Sequence, residues 1–377
     1  MRILCDKAMP NAREVLSPYG EITFKLGREI VPEDLKGIDA LMIRSVTRVN
    51  ADLLKHASQL KFIGTATAGF DHVDTGLLET RGIAFSAAPG NNADSVGDYV
   101  LSALLVLGER YALNLKELSL GIIGCGHTGS AVYHRLRNLF KEVKRRDPPL
   151  ARQGVKGVDV SLEECLNCDV LTLHVPLNRD GADRTLHLLG EDELRVLASH
   201  GGILVNASRG PVVDNQALAR VLKAYAAKGF KAWLDVFEGE PQIAVREVLP
   251  MLEGATAHIA GYSLDSKFRA THMIAESMAS ALKLAHPAPF KAPPCEIEEM
   301  VLHEVADVDA DLLRRLVFAV YDVRRDSHLF RQRCVDGTSF DRLRATYRER
   351  RELSTVTLRG IGGTWQAILS EMGFKCV

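Results

Sequence analysis

The sequence of 377 residues lacks any apolar run of 18 or more residues, so it contains no candidate for a membrane-spanning helix. It also lacks an excess of charge of either sign, because 47 lysines and arginines stand against 48 aspartates and glutamates. Nucleic-acid-binding domains and polybasic membrane-binding surfaces are strongly basic, so this balance argues against both. Residues 1–6 have no long apolar stretch behind a basic start, and we therefore expect no secretory signal peptide.

Cysteine is also scarce. The seven cysteines are odd in number and scattered through the chain, which is unlike a disulfide framework. This usage is typical of reduced thiols, and we expect a cytoplasmic protein. The pair Cys165-x-x-Cys168 falls late in a predicted helix, and no second Cys or His pair accompanies it. A redox motif would lie at a helix start and zinc needs more ligands, so we interpret the pair as structural and expect no metal site.

What the sequence does contain is ordinary globular composition, with 46% hydrophobic and 25% charged residues, which excludes disorder as the main state. The length indicates two or three domains. Short apolar runs alternate with helix-like segments in two successive series, a pattern that predicts an α/β protein with parallel sheets. The predicted strands lie at 3–4, 40–43 and 62–66 in the first series, and at 120–123, 170–175, 203–206 and 232–236 in the second.

Helical periodicity and proline content indicate how the rest of the chain is organised. Residues 92–107 are apolar on most faces, which predicts a buried helix. Further helices are expected at 214–227, with Asp214 as a cap, and at 271–285. Prolines at 287, 289, 293 and 294 mark a linker, and the remainder to residue 377 is predicted to be a third domain with a helix at 312–323. The charged run 342–352 is interpreted as a solvated helix face.

The strongest local motif is Gly124-Cys-Gly126-His-Thr-Gly129, which follows a predicted strand and opens a predicted helix. This is the context of a dinucleotide-binding fingerprint, in which the helix N-terminus binds the pyrophosphate. Asp147 lies 18 residues after Gly129, where an acidic residue accepts hydrogen bonds from the adenosine ribose. Because a carboxylate there repels a 2′-phosphate, the motif favours NAD over NADP.

The segment Lys144-Arg145-Arg146, directly before Asp147, is basic where a buried strand should be apolar. Two interpretations stay open. The arginines form the solvated end of a twisted strand, which we favour, or they lie near the adenine ribose and weaken the preference for NAD.

A second group of polar residues is spread over about fifty positions, in Asn206-Ala-Ser-Arg209-Gly, Glu240-Pro and His258-Ile-Ala-Gly261-Tyr262. Each follows a predicted strand end or lies in a glycine-rich turn, and ligands of open parallel sheets bind at such ends. The planar fork of an arginine binds a carboxylate with two hydrogen bonds. A histidine exchanges a proton near neutral pH, and a neighbouring carboxylate fixes its tautomer.

These motifs, together with Asp71-His-Val-Asp74, resemble those of the D-isomer-specific 2-hydroxyacid dehydrogenases, in the same order and spacing over roughly residues 1–285. The resemblance implies that Arg209 binds the substrate carboxylate, His258 is the acid and base, and Glu240 assists it. It also implies two parallel-sheet domains, one Rossmann-like and one flavodoxin-like, and a C-terminal α+β domain that forms a homodimer. The expected boundaries are a substrate domain of 1–92 plus 257–285, an NAD domain of 93–256 and a dimerisation domain of 286–377.

Within that family the chain is similar to a subfamily that shares Arg44-Ser-Val-Thr47, Gly64-Thr-Ala-Thr67 and the tail motif Phe318-Ala-Val-Tyr321-Asp322. The subfamily implies substrate contacts from Ser45, Thr67 and Tyr262. Either Arg44 or Lys267 is a candidate cation for a substrate phosphate. The cofactor contacts expected from the fingerprint and the resemblance are Gly124, Gly126, His127, Thr128, Gly129, Asp147, Ala207, Ser208, Asp235 and Gly261.

The implied reaction is NAD-dependent oxidation of the 2-hydroxyl of 4-phospho-D-erythronate, in the synthesis of pyridoxal 5′-phosphate. Two alternatives stay open. One is oxidation of D-3-phosphoglycerate, which also carries a phosphate and a 2-hydroxyl. The other is a non-enzymatic, NAD-sensing protein similar to transcriptional corepressors, since a fold alone does not decide function.

Overall fold

The structure is a computed structural model that describes residues 1–305 and 307–377. The strands are β1 (Arg2–Asp6), β2 (Glu21–Lys25), β3 (Ala40–Ile43), β4 (Phe62–Thr65), β5 (Ala84–Ser86), β6 (Ser119–Ile123), β7 (Glu142–Arg146), β8 (Val170–Leu173), β9 (Ile203–Asn206), β10 (Lys231–Leu234), β11 (Gly254–Ala255), β12 (Glu299–Val305), β13 (Thr357–Ile361) and β14 (Lys375–Cys376).

Many helices begin at an Asp or Ser whose side chain accepts a backbone N–H of the first turn, as Asp214 does. The α-helices are α1 (Ala12–Leu16), α2 (Thr75–Thr80), α3 (Ala93–Arg110), α4 (His127–Leu136), α5 (Pro148–Arg152), α6 (Leu162–Leu166), α7 (Glu191–Ser199), α8 (Asn215–Ala224), α9 (Leu264–Ala281), α10 (Ala310–Val320), α11 (Val323–Arg333), α12 (Gly337–Ala345) and α13 (Gly363–Glu371). Across residues 1–305 and 307–377, no helix combines the length and apolarity needed to cross a membrane.

The chain divides into two compact units. The first unit comprises Met1–Asn92 and Ser263–Pro294, and the second unit comprises Ala93–Tyr262 and Cys295–Val377. The proline-rich segment predicted as a linker ends at the boundary between Pro294 and Cys295. The division into three domains, with a dimerisation domain of its own, stays a prediction.

The first unit contains a five-stranded parallel sheet in the order β2-β1-β3-β4-β5, the flavodoxin-like order. Strands β3 and β4 are buried throughout, and Ile43 pairs with Thr65 at their carboxyl ends. Helix α9 covers one face, where Gly64 comes so close to Ile274 that a Cβ at residue 64 would lie 3.1 Å from it. This helix begins at residue 264 rather than 271 because the Ser263 hydroxyl caps it.

The second unit contains a six-stranded parallel sheet in the order β11-β10-β9-β8-β6-β7. The chain order reverses between β6 and β8, and ligands of such sheets bind at the carboxyl ends beside this reversal. The two sheets confirm the predicted α/β class with parallel strands. The basic segment 144–146 lies in β7, the edge strand of this sheet, which explains how a strand there tolerates charged residues.

The C-terminal part of the second unit adds a small parallel sheet, β12-β13-β14, and helices α10 to α13. It packs on α3, which is buried from residue 95 to 108 as the sequence predicts. The Ser102 hydroxyl donates to the Tyr321 carbonyl at 3.0 Å, and the Tyr99 and Tyr321 rings are 6.5 Å apart. The single helix predicted at 312–323 is wrong, because α10 ends at Val320 and Asp322 caps a new helix.

The interpretation of residues 342–352 as a solvated helix face is also wrong. Helix α12 ends at Ala345, and both Arg350 and Glu352 are fully buried. Both groups have partners inside the unit, since Glu352 accepts the Ser95 hydroxyl at 2.8 Å and the Arg350 guanidinium lies 3.7 Å from the centre of the Tyr321 ring.

Candidate active site

A histidine and a glutamate form a close pair in the second unit. Nδ1 of His258 lies 2.7 Å from Oε2 of Glu240, and the other glutamate oxygen accepts the Phe237 N–H at 2.6 Å. Burial alone would raise the pKa of Glu240, but the His258 ring and these hydrogen bonds outweigh it and lower the pKa. Glu240 is therefore an ionised acceptor, and Nδ1 of His258 carries the shared proton.

His258 has a left-handed backbone conformation, with φ 53°, which is uncommon for a residue with a side chain. Asp235 holds this turn in place. Its carbonyl accepts the His258 N–H at 2.7 Å, and its carboxylate accepts the N–H groups of Ile259 and Ala260 at 2.8 Å each. The Thr256 hydroxyl adds a bond of 2.6 Å to the same carboxylate. Asp235, predicted as a cofactor contact, is thus buried beneath the turn that carries His258.

Arg209 is the last residue of a turn that Asn206 organises at the end of β9. Oδ1 of Asn206 accepts the N–H and the hydroxyl of Ser208 at 3.0 and 2.7 Å, and the Arg209 guanidinium donates to the Ser208 carbonyl at 2.9 Å. A Cβ on Gly210 would lie 1.9 Å from the carbonyl oxygen of Phe237. Only glycine fits there, so the arginine turn packs directly against the loop that supplies Glu240.

The glycine motif forms a tight loop between β6 and α4. Gly124 has φ 88°, and a Cβ on Gly129 would lie 1.8 Å from the Gly124 carbonyl oxygen. In contrast, a Cβ on Gly126 would meet no atom within 4 Å, so the loop presents open backbone at the helix start, where His127 and Thr128 lie. This combination fits a dinucleotide pyrophosphate, which needs close backbone approach and helix N–H donors.

Asp147 follows β7 and is connected to that loop. Its carboxylate accepts the Cys125 N–H at 2.8 Å and the Leu150 N–H at 3.0 Å, the second bond capping α5. A carboxylate has about four acceptor positions, so capacity for ribose hydroxyls remains.

The two arginines before Asp147 have partners of their own in the structure and are not simply solvated. Arg145 lies 4.3 Å above the Tyr133 ring, and Arg146 donates to the Val160 carbonyl at 3.1 Å.

His174 and the cysteine pair carry no sign of reactivity. His174 follows β8 beside the glycine loop, bonds the Thr172 hydroxyl at 2.9 Å, and burial lowers its pKa to about 3. Cys165 and Cys168 are buried free thiols, and burial raises the pKa of Cys165 to about 12. Within the described parts of the chain, no group of three or more His, Cys, Asp or Glu side chains could hold a metal ion.

The predicted substrate residues Ser45 and Thr67 belong to the first unit. Ser45 is exposed two residues after β3, and Thr67 lies two residues after the neighbouring strand β4. The Thr67 hydroxyl donates to the Gly69 carbonyl at 2.7 Å and lies 2.8 Å from Oγ1 of Thr65. Asp74, in the same family motif as His72, caps α2, which gives it a structural role.

Tyr262, the third predicted substrate residue, lies in the second unit with Arg209, Glu240, His258 and Gly261. Its hydroxyl accepts a hydrogen bond of 3.0 Å from Arg344, and its ring is 6.0 Å from that of Tyr347. Sequence reasoning missed Arg344 because it lies in the charged run assigned to solvent. The one signal against that assignment was an aromatic residue, Tyr347, among the charges.

Residues 3–289 match the family model described as D-isomer specific 2-hydroxyacid dehydrogenase, catalytic domain, and residues 292–373 match a domain of unknown function. The chain is 44% identical over 383 residues to an erythronate-4-phosphate dehydrogenase of Aeromonas hydrophila, an alignment covering 100% of this chain and 99% of the relative. Similar solved structures include a protein of Thermus thermophilus, with 27% identity and TM-score 0.62 over 76% of this chain and 98% of that one. Another is D-lactate dehydrogenase of Aquifex aeolicus complexed with NAD and lactic acid, with 25% identity and TM-score 0.57 over 74% and 95%.

Proposed function

Because the chain belongs to the D-isomer-specific 2-hydroxyacid dehydrogenase family, we propose that it is an NAD-dependent enzyme that oxidises 4-phospho-D-erythronate to 2-oxo-3-hydroxy-4-phosphobutanoate. This reaction is a step of pyridoxal 5′-phosphate synthesis. The substrate is inferred from the name of the Aeromonas hydrophila relative, whose similarity extends over the tail as well as the catalytic part. The observation that carries the proposal is the 2.7 Å pair of His258 and Glu240, together with the packing of the Arg209 turn against Phe237 in the loop that carries Glu240.

His258 accepts the proton of the substrate 2-hydroxyl. Since Nδ1 carries the proton shared with the ionised Glu240, the neutral ring has its lone pair on Nε2, and that atom is the base. The His258 side chain is 32% exposed, so a substrate can reach it. When Nε2 takes the proton, the Glu240 carboxylate stabilises the resulting imidazolium.

Arg209 binds the C1 carboxylate and polarises the oxygen on C2 as it becomes a carbonyl. The guanidinium suits this role because its planar donors match a carboxylate and its charge is permanent. The hydrogen bond to the Ser208 carbonyl and the turn fixed by Asn206 limit its freedom. Ser45, Thr67 and Tyr262 are proposed to contact the substrate.

The glycine loop is proposed to bind NAD, with Gly124, Gly126 and Gly129 shaping the backbone and the start of α4 facing the pyrophosphate. When bound, NAD accepts the hydride from C2 of the substrate. Asp147 would accept hydrogen bonds from the ribose, and Ala207, Ser208, Asp235 and Gly261 complete the proposed site. The NAD complex of the related D-lactate dehydrogenase supports this choice of cofactor.

We further propose a cytoplasmic homodimer. Free cysteines throughout the described residues are consistent with a reducing compartment. Among its described residues the tail exposes four large apolar side chains, Ile297, Val301, Val335 and Val377, which a second copy could cover. Light scattering after gel filtration measures the mass directly, and a value near 41.4 kDa would contradict the dimer.

The decisive experiment measures NADH formation by the purified protein with 4-phospho-D-erythronate, and in parallel with D-3-phosphoglycerate. A 2-oxoacid acceptor is added to a duplicate, so that NADH retained by the protein is reoxidised and turnover continues. Preference for 4-phospho-D-erythronate supports the proposal, whereas preference for D-3-phosphoglycerate replaces the substrate and keeps the reaction class. If neither substrate gives NADH although the protein binds NAD, the result contradicts an enzymatic role and favours an NAD-sensing protein that binds a peptide partner.

A further inference from the structure

Helix α12 extends from the loop of Glu240 to the turn of His258. At its start, the Gly337 N–H donates to Oε1 of Gln242, two residues after Glu240, at 3.2 Å. A Cβ on Gly337 would lie 2.3 Å from the Gln242 side chain, so the approach is tight. Near its end, Arg344 donates to the hydroxyl of Tyr262, four residues after His258. A segment of the domain of unknown function is therefore attached to both catalytic loops.

Aromatic packing fixes this helix in place. Phe340 of α12 is fully buried, and its ring meets that of Phe330 edge to face at 6.4 Å. Phe330 in turn stacks on Phe237 at 5.6 Å, and the Phe237 N–H is the group that donates to Glu240. Three rings in contact thus connect the helix that carries Arg344 with the loop that carries Glu240.

The Arg344 guanidinium has an unusual environment for a cation. The residue is only half-exposed, and its Nε atom is buried with no hydrogen-bond partner in the part of the chain that the structure describes. Burial would lower the pKa of Arg344, but Tyr262 and the Glu240 carboxylate outweigh it, so the charge is retained. A buried donor without an acceptor is costly, and an anionic ligand nearby would reduce that cost.

The bond to Tyr262 has a defined direction. Arginine has donors only, so the Tyr262 oxygen is the acceptor and its own O–H is directed elsewhere. A hydroxyl polarised by a guanidinium is a stronger donor toward a third group. The proposed substrate has two anionic ends, and Arg209 serves the carboxylate. Arg344 is bonded to a proposed substrate residue, which makes it a further candidate cation for the phosphate beside Arg44 and Lys267.

We propose that Arg344 is a positioning residue for the phosphate-bearing end of the substrate, acting through Tyr262. It orients the Tyr262 hydroxyl and adds positive charge beside it, so that phosphorylated 2-hydroxyacids are selected over their non-phosphorylated counterparts. The inference rests on the proposed function and assigns a part of the substrate preference to the domain of unknown function at residues 292–373.

The test compares Arg344→Ala with wild type on two substrates, 4-phospho-D-erythronate and D-erythronate. We expect kcat/KM to fall roughly tenfold or more for the phosphorylated substrate, mainly through KM, because a charged hydrogen bond is lost. The value for D-erythronate should stay within about twofold, since it has no phosphate. Arg344→Lys should recover part of the loss. Arg342→Ala removes an exposed arginine from the same helix turn and should behave as wild type.

The mechanism through Tyr262 has its own readout. In Tyr262→Phe, adding Arg344→Ala should cost much less than it does in wild type, because the two residues act as a unit. If Arg344→Ala fails to fold, Arg344→Gln, which keeps a donor but loses the charge, takes its place in both series.

Equal losses of kcat/KM on both substrates would overturn the inference and leave Arg344 as a structural residue. Wild-type kcat/KM on both substrates would overturn it as well. A wild-type preference for D-3-phosphoglycerate would contradict only the proposed substrate, and the comparison would then use D-3-phosphoglycerate and D-glycerate. If wild type oxidised none of the hydroxyacids, the result would contradict the proposed function and the inference with it.

Discussion

Glu240 follows β10 and His258 follows the neighbouring strand β11, and the two side chains meet at 2.7 Å. The pair therefore joins the carboxyl ends of adjacent parallel strands, where ligands of such sheets bind. Glu238, only two residues before Glu240, is occupied differently. It accepts the Asn215 N–H at 2.9 Å and pairs with His187. The structure thus gives different partners to two glutamates that lie only two positions apart in the sequence.

We expect Glu240→Gln to lower kcat/KM by roughly 10- to 100-fold, because the imidazolium formed on His258 loses a charge-assisted hydrogen bond. Steady-state kinetics of NADH formation measure the effect. The matched control is Glu238→Gln, which changes the same chemistry two residues away and should retain kcat. Equal losses in the two variants would argue against a specific role of Glu240.

The stability of Glu240→Gln relative to wild type should depend on pH. The folded-state pKa of Glu240 lies below its ordinary value of 4.5, so its ionisation stabilises the fold at pH values above 4.5. That contribution is lost as the pH falls through the folded-state pKa. We would measure the free energy of unfolding by urea titration at pH 3 to 6. The value for wild type should increase relative to that for the variant as the pH rises. A difference that does not change with pH would contradict the lowered pKa.

Arg209→Ala should lower kcat/KM by roughly tenfold or more, since the substrate carboxylate loses a charged partner worth about 1.5–3 kcal/mol. Arg209→Lys should recover only part of this, because an ammonium cannot reproduce the planar fork. Arg220 pairs with Glu191 on the surface, and Arg220→Ala is the control for loss of an arginine. Activity of Arg209→Ala close to that of wild type would remove Arg209 from the proposed site.

Two glycines of one loop should respond in opposite ways to alanine. Gly126→Ala meets open space, so we expect unchanged stability but weaker NAD binding, because the methyl group occupies the side that the cofactor approaches. Gly129→Ala meets the Gly124 carbonyl at 1.8 Å and should destabilise the second unit outright. Thermal unfolding and NAD titration separate the two effects. Tight NAD binding by Gly126→Ala would contradict the proposed cofactor site.

The sequence predicted seven strands of the two large sheets and the candidate catalytic groups, because both depend on local patterns, but it missed β2, β5, β11 and the three strands of the tail. Apolar runs mark buried strands, and the turn around Arg209 is built from Asn206 and Gly210 within five residues. The tail was harder to predict. Arg350 is buried by a contact with Ser95, 255 positions away, and no local pattern distinguishes such an arginine from a solvated one. Arg344 was missed for the same reason.

Asp147 has a structural role and a proposed role in cofactor selection, and two substitutions can separate them. Its carboxylate caps α5 through Leu150 and holds the Cys125 N–H, and its charge is proposed to disfavour a 2′-phosphate. Asp147→Asn keeps a carbonyl oxygen that can accept one of these bonds, so stability should fall by no more than about 1–2 kcal/mol. Asp147→Ala loses both bonds and should fall further. Both variants should lower the ratio of kcat/KM with NAD to kcat/KM with NADP, because both lose the negative charge that disfavours the 2′-phosphate. If only Asp147→Ala lowers this ratio, the cofactor preference depends on the geometry of the glycine loop rather than on the charge of Asp147.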